Sequence, residues 1–231
     1  MSSVRPLFVV AGIGNGTGTG AATARLFAKS GYRVALISRG PEYLNKPATE
    51  ISQAGGEVLI PIHIAGYGVW KPFLDITEDE VRESIETNIL AAFAFAREAL
   101  LEFTKLELET ANEGGVAGNA RKRGTLIFTG ATASIRGNVL TSAFSASKFG
   151  IRALSQSLAK EFAKKNIHYR LMRTAIITDR TKSQRNNPSW EADQDVRLDP
   201  DSIAKSYLHL VEQDSSAWTW EIDLRPAHEK W

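Results

Sequence analysis

Several kinds of functional site are excluded because the residues that they need are missing from this sequence. The 231 residues include no cysteine, which excludes disulfide bonds, thiolate metal sites and cysteine nucleophiles. The four histidines (His63, His168, His209 and His228) are scattered, and none lies at metal-ligand spacing from another, so we expect no metal site. No run approaches the ~18 apolar residues that a membrane-spanning helix requires.

An excess of charge of either sign is also missing. Twenty-eight Lys and Arg residues face 26 Asp and Glu residues, which leaves a net charge of +2 and argues against a nucleic-acid or membrane partner. With 43% hydrophobic and 23% charged residues, the composition is that of a globular chain. The apolar run near the amino terminus is too short for a signal peptide. We therefore expect a single cytoplasmic domain that spans residues 1–231.

Apolar runs alternate with helical periodicity along the chain, and this pattern predicts an α/β fold with a parallel sheet covered by helices. The runs that we interpret as strands are 6–12, 33–38, 57–64, 125–131, 169–177 and 217–224. One helix is predicted over 147–164, and another between the first two strands, with Gly31 as its C-cap. Asp199 and Pro200 suit the cap and first-turn positions of a further helix. Two polar segments have no periodicity, and we interpret 107–123 as a flexible loop and 178–198 as a substrate lid.

A long helix with a clear start signal is predicted after the third strand. Thr77 and Glu80 have the spacing of a capping box, in which each side chain accepts a hydrogen bond from the other's backbone. Val81, Ile85 and Ile89 then recur along one face, as in an amphipathic helix. The pattern continues to about Phe103, which the prediction takes as the helix end.

A glycine-rich turn lies between the first predicted strand and the first predicted helix. In "AGIGNGTGTGAATA" the spacing G-x-x-x-G-x-G falls on Gly14, Gly18 and Gly20. Glycines of this kind allow a tight turn and the close approach of a pyrophosphate, which the N–H groups and positive end of the following helix then hold. The turn therefore predicts a dinucleotide cofactor. A merely flexible glycine loop is the alternative.

The end of the second predicted strand indicates which dinucleotide is bound. An acidic residue there would hold the ribose 2′-hydroxyl of NAD, but this strand ends in "ISRG", with Ser38 and Arg39 and no acid. A hydroxyl and a guanidinium suit a 2′-phosphate, so the pattern favours NADP(H) over NAD(H). The alternative is a surface arginine without a ligand.

Four motifs together resemble the short-chain dehydrogenase/reductase family. They are the glycine turn, "TNILAAFAFARE", "GTLIFTGATASIRG" and "FSASKFGIRALSQSLAKEF", in this order, and the resemblance runs from about residue 6 to the final strand. It implies a single-domain, Rossmann-type, doubly wound parallel sheet with a nicotinamide cofactor. It also implies a tetrad of Asn, Ser, Tyr and Lys that acts on small carbonyl or alcohol substrates. Family members often form dimers or tetramers, so we expect a homo-oligomer.

The resemblance assigns roles to individual residues. Asn88 matches the family asparagine, which bends its helix and holds a water in the proton relay, and Lys148 matches the lysine that binds the nicotinamide ribose. These two residues are the catalytic candidates that the resemblance supplies. The cofactor-binding residues that it implies are Gly14, Gly18, Thr19, Gly20, Ser38, Arg39, Asn88, Lys148 and Ile177.

Other family positions are occupied differently in this chain. The tyrosine position is Phe144, whose ring can neither donate nor accept a proton, and the serine position thirteen residues earlier is Ala131. The family's Asn-Asn-Ala-Gly stretch appears as "HIAG", which begins at His63, and its Pro-Gly appears as 174–175. Tyr67 and His63 are the candidates to replace the lost acid. Standard tyrosine-driven catalysis is therefore not expected.

The region after the third predicted strand is shorter than the family pattern. Pro61 indicates an edge strand, because proline cannot donate to a central ladder, whereas "IAG" directly after it should end a central strand. We expect 57–64 to take the central place, which leaves six strands, one short of the family's usual seven. The rival explanation is an omitted exon, in which case the transcript would contain about 25–30 further codons, enough for a helix and a strand.

Three functions remain open from the sequence. The first is an NADP(H)-dependent oxidoreductase that acts on a small organic carbonyl, alcohol or imine and takes its proton from a group other than tyrosine or from water. The second is a non-redox isomerase or cyclase on the same scaffold, and the third is a catalytically inactive NADP-binding regulatory protein. A fold alone does not choose among them.

Overall fold

Strands and helices alternate along the chain. The computed structural model describes residues 5–14, 16–38, 42–59, 66–108, 122–174 and 194–228. Its elements are β1 (Leu7–Ala11), α1 (Thr19–Lys29), β2 (Arg33–Ile37), α2 (Glu42–Gln53), β3 (Val58–Leu59), α3 (Glu78–Ile85), α4 (Ala91–Lys105), β4 (Gly124–Gly130), α5 (Ser142–Phe162), β5 (Ile167–Thr174), α6 (Pro200–Glu212) and β6 (Glu221–Leu224).

The chain divides into two compact units. The first comprises Met1–Ala65, Ala175–Leu208 and Arg225–Trp231, and the second comprises Gly66–Thr174 and His209–Leu224. Each unit contains a three-stranded parallel sheet, with the order β1-β2-β3 in the first and β4-β5-β6 in the second. The predicted α/β class with parallel sheets is therefore confirmed.

The first sheet is covered by α1. Phe27 of this helix is fully buried, and its ring stacks on that of Phe8 in β1 with a centroid distance of 3.9 Å. Val34 and Leu36 of β2 are fully buried as well, as expected for a strand paired on both sides. Gly31 ends α1 with φ +89°, a conformation that favours glycine, as the sequence predicted for the helix C-terminus.

The second sheet carries the larger apolar core. β5 lies between β4 and β6, and alternate residues of β5 point to opposite faces of the sheet. Tyr169 and Leu171 face α4 and α5, whereas His168 and Arg170 lie on the other face. The buried residues of this core are Ala96, Leu100, Leu126, Phe128, Ile151, Leu154, Ile167, Tyr169 and Leu171.

The predicted central position of residues 57–64 is wrong for the part that the structure describes. Val58 and Leu59 pair with Val34 and Ala35 of β2, so β3 lies on the outer side of β2 and not beside β1. This is the edge position that Pro61 indicated, and residues 60–65 lie outside the described ranges. The described residues form six strands, and the strand number of the whole chain stays a prediction.

The long helix after β3 begins and bends as its sequence indicates. The Thr77 hydroxyl accepts a hydrogen bond from the Glu80 N–H (3.2 Å), and the Glu80 carboxylate accepts one from the Thr77 N–H (3.0 Å). The predicted capping box is therefore confirmed. A π-helical turn over Glu86–Leu90 joins α3 to α4, and α4 ends at Lys105, two residues beyond the predicted end.

The buried face of α3 is polar, contrary to the amphipathic pattern. Val81 and Ile85 are 37% and 48% exposed, whereas Ser84 and Asn88 are buried. Burying a polar side chain costs little free energy when that side chain is hydrogen-bonded, and Ser84 and Asn88 both are. The periodicity located the helix correctly but did not identify the face that packs inward.

Two further helices differ little from their predictions. α5 begins at Ser142, five residues before the predicted start of 147, and the Asp199 carboxylate caps α6 by accepting from the Ser202 N–H (2.9 Å). Most of the predicted flexible loop (109–121) and of the predicted lid (through residue 193) lies outside the described ranges. Among the described helices, none is long and apolar enough to cross a membrane.

Candidate functional site

The glycine turn after β1 depends on the absence of side chains at several positions. Gly12, Gly14 and Gly16 have φ values of +101°, +60° and +89°, which favour glycine. A Cβ on Gly20 would lie 2.2 Å from the carbonyl oxygen of Gly12, so α1 begins in direct contact with the end of β1. The sequence singled out Gly14, Gly18 and Gly20. It missed Gly12 and Gly16, although both belong to the same alternating glycine series.

The amino terminus of α1 offers free hydrogen-bond donors. Gly18 occupies the N-cap position and supplies no side chain, and the first turn contains no acidic residue. The Thr19 hydroxyl is buried without a hydrogen-bond partner. Buried hydroxyls normally find partners, so this one is available to a ligand oxygen. The open backbone, the donor-rich helix end and the free hydroxyl together fit the pyrophosphate of a dinucleotide.

The end of β2 lies beside this turn. The Gly12 N–H donates to the Ile37 carbonyl (2.8 Å), which joins the end of β1 to the end of β2, and Ser38 follows directly and is buried. Ser38 thus lies where a 2′-substituent of the adenosine ribose is expected. Its predicted companion Arg39, and Ile177, lie outside the described residues.

The second unit holds Lys148 and the aromatic residue at the position that the resemblance assigns to tyrosine. The Lys148 ammonium donates to the Thr129 carbonyl (3.1 Å) and lies 5.7 Å from the centroid of the Phe144 ring. The Trp70 ring packs against that of Phe144, with ring centroids 5.1 Å apart. Burial lowers the pKa of Lys148 to about 8, and within the described ranges no carboxylate pairs with it. The result is a buried amine beside an aromatic pair.

Asn88 is fixed by a polar network next to this lysine. Its amide donates to the Tyr67 carbonyl (2.7 Å) and accepts from the Tyr67 N–H (3.2 Å), which holds the loop before α3. The amide also donates to Ser147 (3.2 Å) and Ser84 (3.4 Å), and these two hydroxyls contact each other at 3.3 Å. Asn88 is therefore bonded to the residue directly before Lys148. The two predicted catalytic residues of this unit belong to one packed cluster.

The position that the resemblance assigns to the family serine, Ala131, lies at the start of a tight turn. Ala131 is followed by a short helical turn over Thr132–Ser134. The hydroxyl of Ser134 accepts a hydrogen bond from the Ala131 N–H (3.1 Å), and Ser134 is fully buried. This serine therefore closes its own turn.

Tyr67 is poorly suited to replace the missing tyrosine. Partial burial, followed by the nearby charges of Glu83 and Glu80, raises the pKa of its hydroxyl above the ordinary value. A phenol with a raised pKa is a weak proton donor at neutral pH. The other proposed substitute, His63, lies outside the described residues.

Comparison with known proteins identifies the family. The family model described as short chain dehydrogenase matches residues 56–192. The 3-oxoacyl-[acyl-carrier-protein] reductase of Rattus norvegicus is 31% identical over 189 residues, which cover 75% of this chain and 78% of the rat protein. This chain belongs to the short-chain dehydrogenase family. The predicted resemblance is confirmed, and with it the prediction of an oxidoreductase enzyme.

Solved structures support the fold of this short-chain dehydrogenase. A short-chain dehydrogenase from Rhodopseudomonas palustris matches with a TM-score of 0.73 and 28% identity, over 96% of this chain and 98% of its own. An alcohol dehydrogenase from Thermococcus sibiricus, complexed with 5-hydroxy-NADP, matches with a TM-score of 0.79 over 98% and 99% of the two chains. Its identity is 22%, so that likeness shows the fold alone. The predicted Rossmann-type α/β fold is confirmed.

Sequence reasoning missed two residues of the lysine cluster. Ser84 and Ser147 are buried partners of Asn88. Ser147 could have been found, because it directly precedes the lysine in "SASK". Ser84 carries no such signal, because amphipathic reasoning assigns its face of α3 to solvent.

Proposed function

We propose that this short-chain dehydrogenase is an NADP(H)-dependent oxidoreductase that acts on a small organic carbonyl, alcohol or imine without a tyrosine proton donor. The observation that carries the proposal is the glycine turn, with its close contact at Gly20 and the free, buried hydroxyl of Thr19. Buried hydroxyls are normally hydrogen-bonded, so an unpaired one at a helix amino terminus is not expected in a purely structural loop. A bound pyrophosphate supplies the acceptor.

Each cofactor group has residues that fit it. Gly14, Gly18, Thr19 and Gly20 would bind the pyrophosphate, and Ser38 with Arg39 would bind the 2′-phosphate that distinguishes NADP from NAD. The family resemblance implies that Asn88, Lys148 and Ile177 would contribute to the nicotinamide side. When bound, the cofactor supplies or accepts the hydride.

Lys148 is the described residue best suited to supply the proton. It lies beside Phe144, where the family tyrosine would stand, and burial lowers its pKa to about 8. A general acid is most effective when its pKa lies near the working pH, and such transfer is worth roughly 10²–10⁴-fold. In this mechanism the Lys148 Nζ holds a proton, gives it to the oxygen or nitrogen of the substrate during reduction, and regains one from solvent.

The substrate class follows from the surroundings of this amine. Trp70 and Phe144 present aromatic faces, which suit an apolar substrate or, through cation–π attraction, an iminium ion. An iminium carbon accepts hydride without prior protonation, so it tolerates the loss of the tyrosine. The rat relative is named as a 3-oxoacyl reductase, which supports a carbonyl substrate as well.

Consumption of NADPH in the presence of a panel of carbonyls and imines tests the proposal. We expect turnover with at least one apolar member, and a Thr19→Val variant should show a raised KM for NADPH. The control Thr104→Val changes an exposed threonine of α4 and should behave as the parent. NADPH binding without turnover across the panel would favour an isomerase, a cyclase or an inactive regulatory protein and would contradict the oxidoreductase.

We also propose that the protein forms a homo-oligomer through α4 and α5. A groove of about 520 Å³ runs between these helices, and Phe93 and Leu101 line it while remaining 53% and 42% exposed. Large apolar side chains so exposed along one helix are typical of protein interfaces. Light scattering after gel filtration should give a multiple of the chain mass, and Phe93→Lys should reduce the measured mass.

The cytoplasmic location stays a prediction that cell fractionation can test.

A further inference from the structure

A buried arginine of β5 has no counter-charge. Arg170 is fully buried, and its Nε and Nη2 both contact Nδ1 of His168, at 3.2 and 2.6 Å. The remaining nitrogen, Nη1, is buried without a hydrogen-bond partner. Within the described ranges no carboxylate pairs with this guanidinium. Buried charges are normally paired, because removing an ion from water costs several kcal/mol.

His168 cannot supply the missing negative charge. Burial, followed by the positive charge of Arg170, lowers the pKa of His168 to about 3, so the ring is neutral at any ordinary pH. Its Nε2 contacts the Thr219 carbonyl (3.3 Å), which leaves Nδ1 as the acceptor for Arg170. Lys122, the other charge that acts on this ring, is also positive. Within the described ranges, both charges that act on His168 are therefore cationic.

Two further buried donors beside His168 have no partner. Thr125 of β4 is the register neighbour of His168, so both side chains lie on the same face of the sheet, and its hydroxyl is unpartnered. The Trp218 ring stacks on that of His168 with centroids 4.2 Å apart, and its indole N–H is also unpartnered. On the opposite face, burial, followed by the negative charge of Glu161, raises the pKa of Tyr169.

From this arrangement we infer that a small monovalent anion of the chloride class binds on the His168 face of the second sheet, held by Arg170. Arginine and tryptophan side chains only donate hydrogen bonds, so the group that completes them must be an acceptor. One guanidinium requires one negative charge, and a monovalent halide loses less hydration energy on burial than sulfate or phosphate.

The first test measures thermal unfolding of the full chain against chloride concentration, with gluconate replacing chloride at constant ionic strength. We expect a saturable rise in Tm, of about 5 °C or more at a hundredfold excess over Kd, because the anion binds only the folded state. Arg170→Met should abolish the response and should be more stable than the parent in gluconate. The control Arg97→Met removes an exposed cation of α4 and should respond as the parent does.

A second test locates the anion directly and does not depend on the variant folding. Crystals of the unaltered protein grown in bromide should show an anomalous peak within hydrogen-bonding distance of Arg170 Nη1. Trp218→Phe, which keeps the stacked ring and loses the N–H, should weaken the apparent chloride affinity several-fold. The inference is overturned if Tm is indifferent to chloride, if Arg170→Met responds like the parent, or if only water lies at Nη1. None of these readouts depends on oxidoreductase activity.

Discussion

The buried state of Lys148 predicts a specific dependence of stability on pH. Burial lowers the pKa of this lysine from an ordinary 10.5 to about 8. Between these two values the unfolded chain binds one more proton than the native protein, so the free energy of unfolding rises with pH. At about 1.4 kcal/mol per pKa unit, the gain from pH 8 to 10.5 is at most about 3.5 kcal/mol. Below pH 8 both states are protonated and the full penalty of the buried ammonium is present.

Urea unfolding between pH 7 and pH 11 measures this gain. The stability of the parent relative to Lys148→Met should rise as the pH passes from about 8 to about 10.5, with a slope no steeper than about 1.4 kcal/mol per pH unit. Lys160→Met, which changes an exposed lysine of the same helix, should run parallel to the parent. A difference between parent and Lys148→Met that stays flat over this range would refute the buried amine, and with it Lys148 as a proton donor near neutral pH.

Three further variants test other parts of the site and fold. Phe144→Tyr combined with Ala131→Ser should raise carbonyl reductase activity by roughly 10²–10⁴-fold in kcat/KM; no gain at all would mean that α5 does not present this position to the substrate. Asn88→Ala should lower the free energy of unfolding by about 1–3 kcal/mol in urea, since it leaves the buried backbone of Tyr67 unpaired. Thr77→Ala should cost about 1 kcal/mol by removing the helix cap, and an unchanged urea midpoint would contradict the capping box.

Local signals in the sequence predicted the local structure well. Thr77 and Glu80 identified a helix start, Asp199 another, and Gly31 a helix end, because each acts through bonds within a few residues. The pairing of β3 with β2 is different, since it depends on residues more than twenty positions apart. The pattern of 57–64 allowed both an edge and a central place, and only the pairing of Val58 with Val34 decided between them.

The candidate site could be predicted in outline and not in its supporting contacts. The glycine spacing located the turn at Gly14, Gly18 and Gly20, but the free hydroxyl of Thr19 appears only once burial is known. Likewise, "SASK" located Lys148, whereas its lowered pKa depends on the surroundings that the fold provides. Ser84 lies on the polar face of α3, which amphipathic reasoning assigns to solvent.

Calorimetric titration of the protein with NADPH tests the central claim most directly. The account predicts saturable one-to-one binding that is tighter than binding of NADH, because Ser38 takes the place of an acidic residue at the end of β2. It also predicts weaker binding by Thr19→Val with unchanged unfolding in urea. No heat of binding with either nucleotide, from protein shown to be folded, would contradict the account.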